Sequence, residues 1–423
     1  MPSSAYSRYV LGVLFLVYVF NFIDRQILSI LIDPIKEELG VSDSAMGFLT
    51  GFAFAIFYAV AGIPIARLAD RGVRRSIIAV GLTVWSVMTA LCGLAGNFLQ
   101  LAAARIGVGV GEAACSPPAH SLISDYFPPE RRATAISIYN SGIAIGVLVG
   151  YVAGGWIAQY FGWRAAFFVV GLPGVLVALL VRFTIREPRR GQMDGPGVDT
   201  GTDTLGDVAR FLLARKSFVC FAIAGGMSSF SAYGFGTWLP PFLGRVHGMQ
   251  SGEIGSWLGL ISGIGGFIGM ILGGWVTDRL ARYDKRWYMW VPAISLALYY
   301  PFVLLFLLLD NVRIGMLLYL PGIIFASFYL GPVIAITHAM VKVRMRAVAS
   351  AILLFSLNLI GMGLGPQVVG VMTDLLTPAY GVEAIRYSLL FTASSKMVSI
   401  ALFLLAARWL LQDLKAKDEP AAA

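Results

Sequence analysis

Charged residues make up only 13% of this sequence, where a soluble chain carries about 25%. That deficit excludes a protein whose surface faces mostly water. Cysteine is nearly absent. Cys92, Cys115 and Cys220 all sit in apolar runs, so there is neither a disulfide framework nor metal-ligand spacing. No GxxxxGK[ST], HExxH or GxSxG pattern occurs, which leaves no Walker-type ATP drive, zincin site or nucleophile elbow. An enzyme is not expected, and neither is a cofactor or a metal. A cleavable signal pattern is also missing, because the first apolar run starts after Arg8 and is too long for a signal core.

What is present is apolar length. Hydrophobic residues reach 58% of the 423 positions. Apolar segments run at 9–31, 45–66, 76–96, 98–123, 133–160, 164–186, 217–244, 253–277, 287–309, 313–340, 347–376 and 385–411. Each can span a bilayer, which needs about 20 residues as a helix. A spanning barrel would show roughly ten-residue alternating strands instead. The fold class expected is therefore an all-α membrane protein with 12 transmembrane helices in two six-helix bundles.

The net charge of +9 is unevenly placed. Loops after spans 2, 4, 8 and 10 hold thirteen Lys and Arg, among them Arg131, Arg132, Arg282, Lys285, Arg286, Lys342, Arg344 and Arg346. The opposite loops hold five: Lys36, Arg164, Arg245, Arg313 and Arg386. Short basic loops stay in the cytoplasm. This predicts an inner-membrane protein with both termini cytoplasmic, and it accounts for the basic excess without nucleic acid. Residues 187–216 form the one long polar stretch. The expected organisation is an N-terminal bundle over 1–186, a cytoplasmic linker over 187–216 and a C-terminal bundle over 217–423. Within the linker, Val208, Phe211, Leu212 and Leu213 beside Arg210 and Arg215 suggest a short helix on the leaflet or a solvated turn.

The halves repeat. Gly146, Gly150 and Gly155 recur as Gly361, Gly365 and Gly370, and Arg131 as Arg346, each offset by 215; Asp70-Arg71 recurs as Asp278-Arg279. Parallel six-helix repeats place a substrate cavity at the repeat interface. Ala66-Arg67-Leu68-Ala69-Asp70-Arg71-Gly72-Val73-Arg74-Arg75 resembles motif A of the major facilitator superfamily, with Ala66 where Gly is usual. Arg105, Gly109 and Gly111 resemble motif B. Gly146, Gly150, Gly154 and Gly155 resemble motif C, with Tyr151 where that motif has Pro. More narrowly, Asn21-Phe22-Ile23-Asp24-Arg25, the run Arg105 to Ala113 and Arg186-Glu187-Pro188-Arg189-Arg190-Gly191 resemble the Spinster-like family. The resemblance implies transport of lysophospholipid or sphingosine-1-phosphate, as animal members do.

Ionisable groups within spans are expensive and mark function. Span 1 holds Asp24 and Arg25, and span 4 holds Arg105 and Glu112. Arg105 and Glu112 are seven residues apart and share a helix face; Asp24 and Arg25 point about 100° apart. We expect Asp24 and Glu112 to share Arg25 and Arg105 and to couple protons. Arg105 and Arg25, with Asn21 and Tyr233, are the expected substrate contacts. Asp70, Arg71, Arg74, Arg75, Asp278 and Arg279 are expected to gate by latching helix ends. Pro117-Pro118 should break or kink span 4, as should Pro240-Pro241 in span 7. Lys396 in span 12 is a second candidate cation.

These residues predict a monomeric secondary transporter working by alternating access. Its expected partners are membrane lipids, protons and an amphipathic anionic small molecule, with a sugar acid or aromatic acid as the alternative cargo. A channel would show a filter loop or charged ring, and neither appears. In a cysteine-free background, Glu37→Cys will react with an impermeant maleimide only from outside the cell and Arg282→Cys only from inside; the reverse labelling would invert the topology.

Overall fold

The structure is a computed structural model that describes residues 4–193, 205–342 and 345–415. Among these every regular element is helical. The order is α1 (Ser4–Ile30), α2 (Ile32–Leu39), α3 (Asp43–Thr50), α4 (Phe52–Arg71), α5 (Arg74–Cys92), α6 (Phe98–Glu112), α7 (Ser116–Tyr126), α8 (Pro129–Thr184), α9 (Leu205–Leu213) and α10 (Lys216–His247). Then follow α11 (Ser251–Leu260), α12 (Gly266–Leu280), α13 (Trp287–Leu308), α14 (Val312–Ala326), α15 (Leu330–Met340), α16 (Arg346–Asn358), α17 (Gly365–Tyr380) and α18 (Ala384–Lys415). Short π-helical turns, Ile261–Gly265 and Leu359–Leu364, join α11 to α12 and α16 to α17.

By length and composition ten helical stretches among the described residues can cross a membrane. Two of them, Pro129–Thr184 and Val348–Lys415, have 56 and 68 residues. At 1.5 Å per residue each far exceeds a hydrocarbon core about 30 Å thick. The first reverses at Gly162, whose φ of 81° lies in the left-handed region that glycine reaches without a Cβ clash.

The chain divides into two compact units, one of Met1–Val198 with Leu243–Gly263, the other of Asp199–Phe242 with Ile264–Ala423. In the first unit α1 lies along α8, with α5 also against α8. Close approach is set by glycine. A Cβ on Gly146 would meet Phe22 Cβ and the Val19 carbonyl at 2.6 Å, and one on Gly150 would meet Ile23 at 3.1 Å. In the second unit a Cβ on Gly361 would meet Ser229, and one on Gly365 would meet the Phe230 carbonyl at 2.5 Å. The glycines repeated in sequence thus press span 5 onto span 1 and span 11 onto span 7.

The two proline pairs behave differently. Pro117 and Pro118 open α7 at its first turn, where no backbone donor is needed, and the chain is broken at Ala113–Cys115. Pro240 and Pro241 sit inside α10, which continues to His247, so the expected break there is absent.

The described start of the linker is held by the first unit. Its end is a short helix, α9, not a solvated turn, and one face of it is taken up by packing. Val208 and Leu212 are fully buried in the core of the second unit with Phe218, Phe221 and Leu353. The spacing of Val208, Phe211 and Leu212 aligns them on one face. Arg215 folds its guanidinium over the Phe211 ring at 3.5 Å, while Leu205 and Leu213 are left exposed. Residues 194–204, Arg344 and the side chain of Asp70 lie outside the described residues.

Gly111 tests this packing. A Cβ there would fall 2.6 Å from the Trp85 nitrogen and 2.8 Å from the Gly81 carbonyl, both backbone atoms. Gly111→Ala should cost about 1–3 kcal/mol, seen as a lowered apparent melting temperature in detergent. Gly12→Ala, with nothing within 4 Å of its Cβ, should melt like the native chain.

Candidate substrate and proton site

The site in the first unit is assembled by α1, α4, α5 and α6. Small residues on α6 let it sit tightly between α4 and α5. A Cβ on Gly109 would lie 3.1 Å from the Phe54 carbonyl, and one on Gly107 would lie 2.7 Å from Met88. This brings the charged faces of α6 and α1 among aromatic side chains of α4. Asn21, Asp24, Arg105 and Glu112 are all 2% exposed or less.

The pairing inside this group differs from the expected sharing. Arg25 Nε donates to Glu112 Oε2 at 2.7 Å, and its guanidinium lies over the rings of Phe22, Phe54 and Tyr58 at 5.1–5.2 Å. Arg105 pairs with neither acid. Its Nε and Nη1 have no hydrogen-bond partner, and its nearest ring is Phe54 at 5.6 Å. Asp24 instead takes the hydroxyl of Thr89, which stands 2.7 Å from both carboxylate oxygens. Thr89, on α5, was not singled out from the sequence. One threonine in an apolar span is a common packing residue, and only the fold shows that it faces Asp24. Asn21 stands beside Glu112 and interacts with it, though its Nδ2 and Glu112 Oε1 reach no partner at full hydrogen-bond geometry. Tyr233 belongs to the second unit, half-buried on α10.

Two further clusters close the ends of the first unit. At the Ser4 end of α1, Arg74 is almost fully buried and acts as a hub. It donates to Asp125, to Glu187 Oε1 at 2.7 Å, to Ser121 Oγ at 2.8 Å and to the Pro188 carbonyl at 3.2 Å. Arg75 donates to the Ile185 carbonyl, Arg190 to the carbonyls of Ala69 and Gly72, and the Gly191 amide to Asp125. Of the motif residues expected to latch, Arg74 and Arg75 therefore pin the chain just after span 6, while Arg71 is exposed. Asp278 and Arg279 form no such hub in the second unit. Both are exposed; Asp278 accepts from the Tyr288 hydroxyl at 3.3 Å, and Arg279 lies over Trp275 at 5.8 Å.

At the Ile30 end, Arg245 reaches Asp33 at 2.6 Å and Asp43 at 2.8 Å, and Lys36 adds a bond to Asp43 at 2.7 Å. Beside them Glu38 accepts from Trp163 Nε1 and Arg164. Those two donors hold the Glu38 carboxyl below its ordinary value. This bond is therefore present at neutral pH and lost only when acid protonates Glu38. Lys36, Arg164 and Arg245 entered the sequence reading as topology signals alone. Acids and bases mixed in short loops between spans were the signal for an ion-pair cluster.

Apolar helices of spanning length, six-helix repeats and a buried polar group without catalytic chemistry define a polytopic membrane transporter rather than an enzyme. The Major Facilitator Superfamily pattern matches residues 14–366, and the chain belongs to that superfamily. It is 37% identical over 405 residues to an MFS-type efflux pump of Mycolicibacterium smegmatis, covering 95% of this chain and 93% of that one. It is 30% identical to a probable galactarate/D-glucarate transporter of Bacillus subtilis, over 66% of each chain. A solved bacterial homolog of the human lysosomal transporter Spinster, inward-facing and unoccupied, superposes with a TM-score of 0.90 at 32% identity, covering 97% of this chain and 99% of that one. The Spinster-like resemblance of spans 1 and 4 is thus matched by the whole fold.

The hub gives a contrast to test. Arg74→Ala leaves the Asp125 carboxylate buried without its cation, a change that costs about 3–5 kcal/mol. We expect little monodisperse protein from that variant, and native-like yield and melting temperature from Arg71→Ala.

Proposed function

We propose that the chain is a proton-coupled secondary transporter of an amphipathic organic anion of the lysophospholipid or sphingosine-phosphate type, working by alternating access. The observation that carries this reading is Arg105, a guanidinium 2% exposed with two nitrogens unpartnered and, among the described residues, no ion pair. A buried cation needs a counter-charge. With Glu112 already paired to Arg25, the open partner for Arg105 is an anion brought by the cargo. Asp24 completes the scheme. As a carboxylate it would have one neutral donor, Thr89, in a low-dielectric site, and a proton removes that cost. Protonated Asp24 leaves Arg105 to the cargo. Once the cargo has gone, ionised Asp24 supplies the balancing charge. Each anion is thereby tied to a proton.

The exchange is electrostatic, so it works through population. A state that holds both proton and anion and a state that holds neither are each closer to neutral than the mixed states, and those two are the ones that reorient. Arg25, paired to Glu112 and capped by three rings, holds the geometry and lends a second donor to the headgroup. Asn21 offers an unused amide donor beside it. Arg74, Arg75 and Asp70 at one end, and Arg245 with Asp33 and Asp43 at the other, latch the first unit, with Arg71, Asp278 and Arg279 as lesser gates. The excess of basic loops on one side supports an inner-membrane protein with both termini cytoplasmic.

A second reading is favoured by the similarity to a galactarate/D-glucarate transporter. A small sugar acid would use the same Arg105 and the same proton, without an apolar tail.

The test is transport into liposomes under an imposed pH gradient, with labelled lysophospholipid, sphingosine-1-phosphate and D-glucarate as separate arms. Asp24→Asn should retain cargo exchange at equal pH and lose gradient-driven accumulation. Arg105→Ala should weaken cargo affinity at least about tenfold, the size of a charge-assisted hydrogen bond. Accumulation unchanged in Asp24→Asn would sink the coupling. Movement of D-glucarate alone would transfer the scheme to the sugar-acid cargo.

A further inference from the structure

The second unit buries its own ionisable group. Lys396 is 2% exposed and lies within α18, twelve residues from Ala384 and nineteen from Lys415. That is about 18 and 28 Å along the helix axis, beyond the reach of a lysine stem to either end. Among the described residues it makes no ion pair. Its Nζ lies 3.9 Å above the centre of the Tyr299 ring, a contact worth about 2 kcal/mol when desolvated. An uncompensated buried charge costs more than that.

Among the described residues, the elements packed around it bring no acid to it. From α10 come Ser228 and Ser231, both fully buried. The contact of these helices is set by Ser395, whose hydroxyl reaches the Met227 carbonyl, and by Thr392 against Gly234. From α13 come Tyr299, at whose hydroxyl Ser231 stands, and Tyr300, bonded to Ser394. On α17, Thr373 bonds Ser388, so the antiparallel run puts Gly365 and Pro366 level with Lys396 and leaves Asp374 about 13 Å further along. On α15 the titratable group is His338, bonded to Ser350. Glu383 is ion-paired to Arg386 at the start of α18.

The hydroxyls add a second observation. In helices a buried serine or threonine usually returns its proton to the carbonyl four residues back. Thr277, Thr337, Thr373, Ser388 and Thr392 do so here. Ser228, Ser231 and Ser399 do not, and they are buried. Ser399 follows Lys396 by one helical turn. Ser399, one turn on, and Ser231, at the hydroxyl of the Tyr299 ring beneath the amine, are hydroxyls able to accept from an ammonium or donate to an amine lone pair.

We propose that Lys396 is a proton-exchanging residue of the second unit, taking up and releasing one proton in the transport cycle independently of Asp24. On release the Nζ–H bond breaks, the proton passes to water reaching the site and the electron pair stays on nitrogen. The amine then rests over Tyr299 without an uncompensated charge. On uptake the hydroxyls and the ring hold the ammonium. The inference rests on the coupled-transport reading for its role in the cycle, but the exchange itself does not.

The full-length chain in detergent is titrated potentiometrically against Lys396→Met and Lys396→Arg from about pH 5 to 9, a window clear of ordinary lysines. Size-exclusion profiles establish that each variant is folded. We expect the native chain to exchange one proton more than either variant; superimposed curves would mean a fixed charge state and overturn the proposal. In liposomes, Lys396→Met should move fewer protons per cargo and show an altered pH profile, while Lys396→Arg should slow net transport more than tenfold. An unchanged proton count in Lys396→Met would remove the residue from the cycle. If the native chain shows the extra proton in titration but no gradient-driven transport, the coupling reading fails and the exchange at Lys396 stands.

Discussion

A charge removed from water inside a helix bundle must find a partner, and that constraint orders most of this structure. Arg25 and Glu112 answer it by direct pairing, and Arg74 by binding Asp125 and Glu187 together. Arg245 answers it with two aspartates. Three groups form no direct ion pair among the described residues. Asp24 has a threonine hydroxyl, Arg105 lies over the Phe54 ring with two idle nitrogens, and Lys396 lies over the Tyr299 ring. In a chain this poor in charge, buried groups left without a direct ion pair are where an ion can arrive and leave.

The pairs and the unpaired groups need one another. If Glu112 were free, Arg105 seven residues before it on the same helix would have a standing candidate partner. Committing Glu112 to Arg25 frees Arg105. The rings of Phe22, Phe54 and Tyr58 around Arg25 make that commitment firm, since a guanidinium gains from aromatic faces as well as from a carboxylate. Thr89 plays a similar part for Asp24 by giving a neutral donor where a cation would have fixed the charge.

Glycine supplies the precision. Without a Cβ, Gly109, Gly111 and Gly146 let α6 and α8 approach their neighbours to backbone contact. Charged side chains can then meet across helices at hydrogen-bond distance. The same spacing recurs in the second unit, where Gly361 and Gly365 meet span 7. The repeat therefore conserves a packing rule while the buried charges differ, a quartet on spans 1 and 4 in one unit and a solitary lysine on span 12 in the other.

The sequence by itself determined the class of fold, the uneven charge of the loops, the repeat and the membership of the quartet, because each rests on local pattern: apolar length, loop charge, fixed offsets and the rarity of ions in spans. It also placed the break at Pro117-Pro118, where two consecutive residues lack the donor a helix interior needs. Tertiary structure decided what depends on distance between helices. It chose Arg25 for Glu112, gave Thr89 to Asp24 and left Arg105 open. It drew Val208, Phe211 and Leu212 into a core, although their one-sided pattern suits a leaflet equally well. It carried α10 through Pro240-Pro241, since neighbouring packing can satisfy what proline removes. It turned Arg245 from a topology signal into a hub and gave Arg74, expected to latch helix ends, Asp125 and Glu187 as its partners, because an arginine's partners are chosen by where the helices bring their acids.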